Sequence, residues 1–173
     1  MTEGAELHID ENDNYGKKIG ILASILAVLL SIFTISAHRA HTETIELQNE
    51  TNDLWSHYQA KRIRSYQLEM NSDLLAVISS ANPEKMKLIK SYADKQTQFQ
   101  KEMEEIKKDA ETATQKDMTI QKKALYFDFA EGILEISLIL SSLYFISRKK
   151  LFPRLGFIFG CVGTFVGVIG FLL

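Results

Sequence analysis

Ser80-Ala81-Asn82-Pro83-Glu84 holds the only proline between Gly20 and Gly132, an interval that contains no glycine. Chain breakers are glycine and proline, so their absence over more than a hundred residues predicts long helices. Asn82 suits a helix N-cap and Pro83 the first helical position. One break in an otherwise uninterrupted helical stretch predicts a turn at 81–83. The arms on either side, 39–80 and 84–123, are 42 and 40 residues long. At 1.5 Å per residue each reaches about 60 Å. Matched arms predict an antiparallel, coiled-coil-like hairpin over 39–123.

Heptad spacing supports this. In the second arm Tyr92, Gln96, Phe99, Met103, Ile106, Ala110, Ala113, Asp117, Ile120, Ala124 and Phe127 alternate in steps of four and three, the period of a helix seam. The first arm offers a more polar series: Leu47, Thr51, Leu54, Tyr58, Lys61, Ser65, Leu68, Ser72 and Leu75. So thin a hairpin has little core of its own, which makes self-association or a further partner helix an expectation.

Outward from the arms the composition changes abruptly. Ile19–Ala37 and Leu155–Leu173 contain no Asp, Glu, Lys or Arg, and about 20 apolar helical residues suffice to cross a bilayer. A third apolar stretch, Ala124–Ser147, carries Asp128, Glu131 and Glu135 and opens on Tyr126, Phe127 and Phe129, as interfacial aromatic belts do. The expected fold is therefore an all-α membrane protein with three transmembrane helices and a long hairpin between the first and second. Its parts are a polar tail expected to be disordered (1–18), spans at 19–38, 124–147 and 155–173, the hairpin at 39–123, and a basic loop at 148–154. A cleaved signal peptide at the first span is disfavoured by the acidic residues before it and by the lack of a small-x-small site at Ser36-Ala37-His38.

The whole-chain charge of −2 conceals this layout. Residues 39–123 carry fourteen acids and fourteen bases, 124–147 three acids and no base, and 148–154 four bases. No region of domain size is net basic, which argues against a nucleic-acid partner. The four bases of 148–154, with Lys17 and Lys18 before the first span, place both ends of that side in the cytoplasm by the positive-inside rule. The hairpin is then periplasmic or extracellular. The lipid bilayer is the expected partner, with a homo-oligomer or an unidentified protein beside it.

Three groups of side chains stand out. Asp128, Glu131 and Glu135 follow i, i+3, i+7 spacing on one helix face, and ionisable residues at membrane depth are functional candidates. Counting levels across an antiparallel pair sets Glu135 near Ser31 or Ala27, Glu131 near Thr34, and Asp128 near His38 and Arg39. In one reading Glu131 and Glu135 line a proton or cation path; in the other only Glu135 is buried, satisfied by hydrogen bonding. Gly156, Gly160, Gly163, Gly167 and Gly170 form a small-residue ridge, the commonest device for close helix packing in lipid. In the first arm, Trp55, Tyr58, Gln59, Lys61 and Arg64 form either a packing patch against the returning arm or a docking surface with a basic strip.

That last motif, Trp55-x-x-Tyr58-Gln59-Ala60-Lys61-x-x-Arg64 preceded by Asn49 and Asn52, resembles the bacterial membrane protein family grouped as domain of unknown function 4337. The layout is similar too: one span, a long polar helical region with W-x-x-Y-Q-A-K, then two closely spaced spans. The resemblance implies a bacterial inner membrane location and this topology, and no chemistry. No glycine-rich phosphate loop, nucleophile elbow, H-E-x-x-H or Cys–His pairing occurs. His38 and His41 share a face beside Glu46, a weak basis for a metal, and Cys161 lies alone in the third span. No catalytic residue, metal or cofactor is expected. The leading expectation is a non-enzymatic scaffold or partner-binding component of the cell envelope; the alternative is a small ion-conducting subunit.

Overall fold

The lack of glycine and proline carries through to the backbone. The computed structural model describes residues 14–78 and 83–173, and among them there are three helices and no strand. Helix α1 runs Asn14–Ile78 and α2 runs Pro83–Ser147, 65 residues each, while α3 runs Leu151–Leu172. Neither long helix is interrupted where its composition switches from apolar to polar. Residues 1–13, with His8, and 79–82, with the expected Asn82 cap and most of the turn expected at 81–83, lie outside the described residues. Pro83 opens α2, where its missing N–H costs nothing.

Between α2 and α3 only 148–150 are non-helical, so the break is shorter than the basic stretch 148–154. Pro153 and Arg154 belong to the first turn of α3. Arg148 adopts φ 55° and its N–H donates to the Tyr144 carbonyl at 2.8 Å, an αL ending of α2. A left-handed backbone costs a non-glycine residue roughly 1 kcal/mol or more. Here a cation occupies the place where glycine is usual.

Two compact units form. Unit 1 comprises the chain through His41 together with Ile120–Leu173, and unit 2 is Thr42–Thr119. The core of unit 1 joins Leu26, Phe33, Ala37 and Ala40 of α1 to Ala124, Phe127, Ala130 and Leu134 of α2. Phe33, Phe127 and Phe171, one ring from each helix, close it with centroids 4.8–6.4 Å apart. In unit 2 the nine positions of the first-arm series, Leu47 through Leu75, are all buried or half-buried, and so are Tyr92 through Asp117 in the second arm.

Helix α3 enters unit 1 through its glycines, all five of which are buried. A Cβ at Gly156 would lie 2.8 Å from the Ser137 carbonyl oxygen and collide with Ser141 Oγ. At Gly160 it would lie 2.6 Å from Leu26 Cδ2, at Gly163 3.0 Å from Leu134 Cγ, and at Gly170 3.0 Å from Phe127 Cε1; at Gly167 it would strike the Phe33 ring. The ridge thus beds against both α1 and α2. Gly20 and Gly132 differ, since a Cβ at either meets nothing within 4 Å.

This contrast is testable. Gly156→Ala must displace backbone, and overpacking of that kind costs about 1–3 kcal/mol. Gly132→Ala meets open space and gains helix propensity of up to about 1 kcal/mol. Thermal unfolding in detergent is expected to show a lowered midpoint for the first and an unchanged or raised one for the second. Equal midpoints would remove the ridge as the reason α3 packs.

Candidate functional site

The outer surface of unit 1 is apolar and its interior holds the small polar groups. Ile21, Ile25, Val28 and Ile32 of α1, Phe129, Ile136 and Ile139 of α2, and Phe157, Val162 and Phe165 of α3 are exposed. Ser137 and Ser141, in contrast, are completely buried. Ser137 Oγ donates to the Gly156 carbonyl across the helix pair at 2.6 Å, and Ser141 Oγ donates to the Ser137 carbonyl at 2.9 Å. Those two serines carry a helix-to-helix bond and a local one that the glycine pattern alone does not announce. Their signal in the sequence is faint: two hydroxyls four apart, within a run of leucine and isoleucine.

The three acids in the apolar part of α2 meet different fates. Glu131 is half-buried, and Thr34 Oγ1 donates to its Oε1 at 2.8 Å. Asp128 is engaged by His41 Nε2 at 3.0 and 3.1 Å, one turn beyond His38. Level counting sets Asp128 near His38 and Arg39; the hydrogen bond is made by His41, one turn further along α1. Glu135 is exposed, which overturns the expectation that it is the buried one. The reason is local: Ser31, the hydroxyl expected opposite, donates to its own helix at the Ala27 carbonyl, 2.9 Å away. The small residues on that face of α1 do not reach over the carboxylate. Within one chain, then, the acids line no enclosed path; they sit along an outward-facing seam of α1 and α2.

In unit 2 the tryptophan motif separates. The rings of Trp55 and Tyr58 meet edge-on with centroids 5.7 Å apart, and both are half-buried. Lys61 turns inward, where its ammonium pairs with Glu102 and lies 5.3 Å above the Phe99 ring. Gln59 and Arg64 are exposed. Lys61 and Arg64 therefore form no common basic strip, because the seam claims Lys61. Arg62, exposed like Arg64, is a further surface cation of this region. Its Nε donates to the Tyr66 hydroxyl at 3.1 Å while the guanidinium lies 5.6 Å from that ring. The Tyr66 hydrogen bond holds the Arg62 guanidinium above its ordinary pKa, with Tyr58 adding to the effect.

Family comparison fits the same picture. Residues 15–173, all three helices, match the family described as Domain of unknown function (DUF4337). The chain belongs to DUF4337. No curated protein and no solved structure matches it. Membership in DUF4337 covers the motif at Trp55 and also the glycine ridge and the acidic seam, since all fall inside the matched residues.

The hydrogen bond from Lys61, with a smaller contribution from Gln98, holds the Glu102 carboxyl below its ordinary pKa. A lowered carboxylate pKa contributes stability above the ordinary carboxylate range and loses it as pH falls through the depressed value. Glu102→Gln is accordingly expected to unfold at a lower temperature than the parent at neutral pH, with the gap closing below the ordinary carboxylate range. A gap that stays constant into acid would assign the effect to packing and not to charge.

Proposed function

We propose that this DUF4337 chain is a non-enzymatic, three-span membrane protein of the bacterial inner membrane that projects residues 42–119 outside the cytoplasm as an antiparallel helical hairpin, serving as a scaffold or partner-binding component of the envelope. The observation that carries the reading is the inverted surface of unit 1. Only 17% of the most apolar window of α1, and 28% of those of α2 and α3, is buried. Soluble monomers rarely expose apolar patches of more than a few hundred Å². An exterior of Ile, Val and Phe, with Gly and Ser buried at the helix contacts beside Leu and Phe, is instead the distribution that lipid favours, where small residues and hydroxyls hold helices together.

Orientation rests on charge. Lys17 and Lys18 precede the apolar stretch of α1, and the four bases of 148–154 lie between those of α2 and α3. Partner binding is supported by what unit 2 leaves uncovered. Ile63, Tyr66, Met70, Leu74 and Val77 stand on the face of α1 away from its seam, Val77 at 85% exposure. A conducting subunit is the second reading, favoured by the outward-facing Glu135. Such a path would need neighbouring copies, because Asp128 and Glu131 are already engaged by His41 and Thr34.

In a Cys161→Ser background, a membrane-impermeant maleimide is expected to label Ala60→Cys once the outer envelope is opened, and Lys149→Cys only after the inner membrane is breached. The reverse pattern would invert the topology, and release of the protein by alkaline carbonate would remove the membrane reading altogether. Crosslinking through Met70→Cys reports the partner. Proton flux in liposomes is expected to be absent; flux lost on Glu135→Gln would instead establish the conducting reading.

A further inference from the structure

A groove runs between α1 and α3 along one side of unit 1. Its mouth lies between Tyr15 and Lys18 of α1 and Pro153 and Arg154 of α3, with a cavity of about 410 Å³ that narrows onto Leu22 and Phe157. Those two residues also begin a second, almost wholly apolar cavity of about 440 Å³, which continues past Leu29, Gly160 and Thr164 to Val168. On α3 its wall sets the short residues Gly160, Cys161 and Thr164 between Phe157 and Phe165. Gly160 has no side chain, and Leu26 comes so close that a Cβ would lie 2.6 Å away.

Length and charge say what would fill it. From Arg154 to Val168 is fourteen residues, about 21 Å of helix, somewhat more than the roughly 15 Å that half of a bilayer's hydrocarbon core occupies. The groove is therefore as deep as one leaflet, wet and charged at its mouth and apolar along its floor. The mouth is basic. Lys18 and Arg154 line it directly, and Lys150 Nζ lies 5.3 Å from the Tyr15 ring that forms its wall. The acids of unit 1 among the described residues are Asp128, Glu131 and Glu135. The last of these is thirteen residues, about 20 Å, along α2 from Arg148.

The geometry points to a bound anionic phospholipid, its phosphate between Lys18 and Arg154 and one acyl chain along Leu22 and Phe157 toward Val168. Basic pockets between membrane helices recognise anionic headgroups in this way, the cations supplying charge and the groove supplying the shape that a bulk lipid surface lacks. Tyr15 closes the mouth as an amphipathic ring at headgroup depth. This inference rests on the membrane reading above, since the groove faces lipid only if unit 1 is embedded.

Native mass spectrometry of the full chain, extracted from nanodiscs of equal phosphatidylglycerol and phosphatidylcholine, tests it. The parent is expected to retain phosphatidylglycerol preferentially. Lys18→Gln and Arg154→Gln together leave Lys17, Arg148, Lys149 and Lys150 to hold the orientation, and each is expected to lower that retention about fivefold. Cys161→Trp fills the groove from an exposed position and is expected to lower retention of the same lipid with the basic mouth intact. Equal retention of both lipids by the parent, or an unchanged preference in the double variant, overturns the site. So does retention that inorganic phosphate abolishes, which would make the mouth a phosphate site without a lipid. A preference that appears only when residues 2–12 are deleted also overturns it, assigning the mouth to the chain's own acidic segment. Alkaline carbonate extraction of each variant keeps the two claims apart: protein released by carbonate fails the membrane reading, whereas protein that stays in the membrane without lipid preference fails the groove alone.

Discussion

The approach of α3 to α2 at Gly156 sets the terms for unit 1. The Ser137 hydroxyl reaches the Gly156 carbonyl at 2.6 Å, and there is no room between the backbones for even a methyl group. In an aqueous core such contact would be one of many stabilising burials. In lipid, tails outside are as apolar as the side chains inside, so helices gain little by exchanging one for the other and associate through packing and hydrogen bonds. A 22-residue α3 that carries no charge beyond Arg154 of its first turn would otherwise have little reason to select one side of the α1–α2 pair. The glycines supply that side. The three-ring cluster of Phe33, Phe127 and Phe171 then fixes how far α3 slides along it.

Unit 2 works on different physics. Two helices share one seam, and the buried side chains there are mostly small or polar: Ala110, Ala113, Ser65 and Asp117 beside the single large Leu47. Hydroxyls of Thr44 and Thr51 are sealed from solvent without a hydrogen-bond partner, and an unsatisfied buried polar group costs roughly 1–3 kcal/mol. A seam of this kind holds two helices in register without burying much apolar area. The Lys61–Glu102 pair and the Lys61–Phe99 contact add specificity of register more than stability, since partly exposed ion pairs are worth little. A long, weakly glued arm with Tyr66, Met70 and Leu74 on its far face is the form expected of something that completes its core on another molecule.

Much of this was legible in the sequence, and the failures share a cause. The all-helical character followed from breakers that are absent, and the inward faces of both arms followed from a period of three and a half. Periodicity reports which side of a helix looks inward, and it does so along the whole of Leu47–Leu75. It does not report how far a neighbour's side chains extend. Glu135 was assigned the right face and the wrong burial, because Ser31 turns to its own backbone and covers nothing. Lys61 was placed both in the first-arm series and in a basic strip with Arg64, and periodicity alone could not say that Glu102 and Phe99 would hold it in the seam. The groove between α1 and α3 has no linear signature at all. It arises where Gly160, Cys161 and Thr164 of one helix pass Leu22 and Leu29 of another, a coincidence of three dimensions.

The charges of unit 1 fall toward its two ends. Asp128 and Glu131 lie where His41 and Thr34 can reach them, with Arg39, Lys122 and Lys123 nearby in the chain, and a purely basic group, Lys18, Lys150 and Arg154, lies at the other end. Each arrangement has its own rationale. The acids obtain partners from α1 within the protein, which lowers the cost of carrying carboxylates in an apolar helix. Along α2 the acid nearest to the 148–154 stretch is Glu135, about 20 Å away. Even Arg148 holds a strained left-handed backbone where glycine would be easier. Charge at this end is thus maintained against a local conformational cost. That is the pattern expected when the loop's contribution lies in its sign, to orientation and to an anionic surface, more than in the turn it makes.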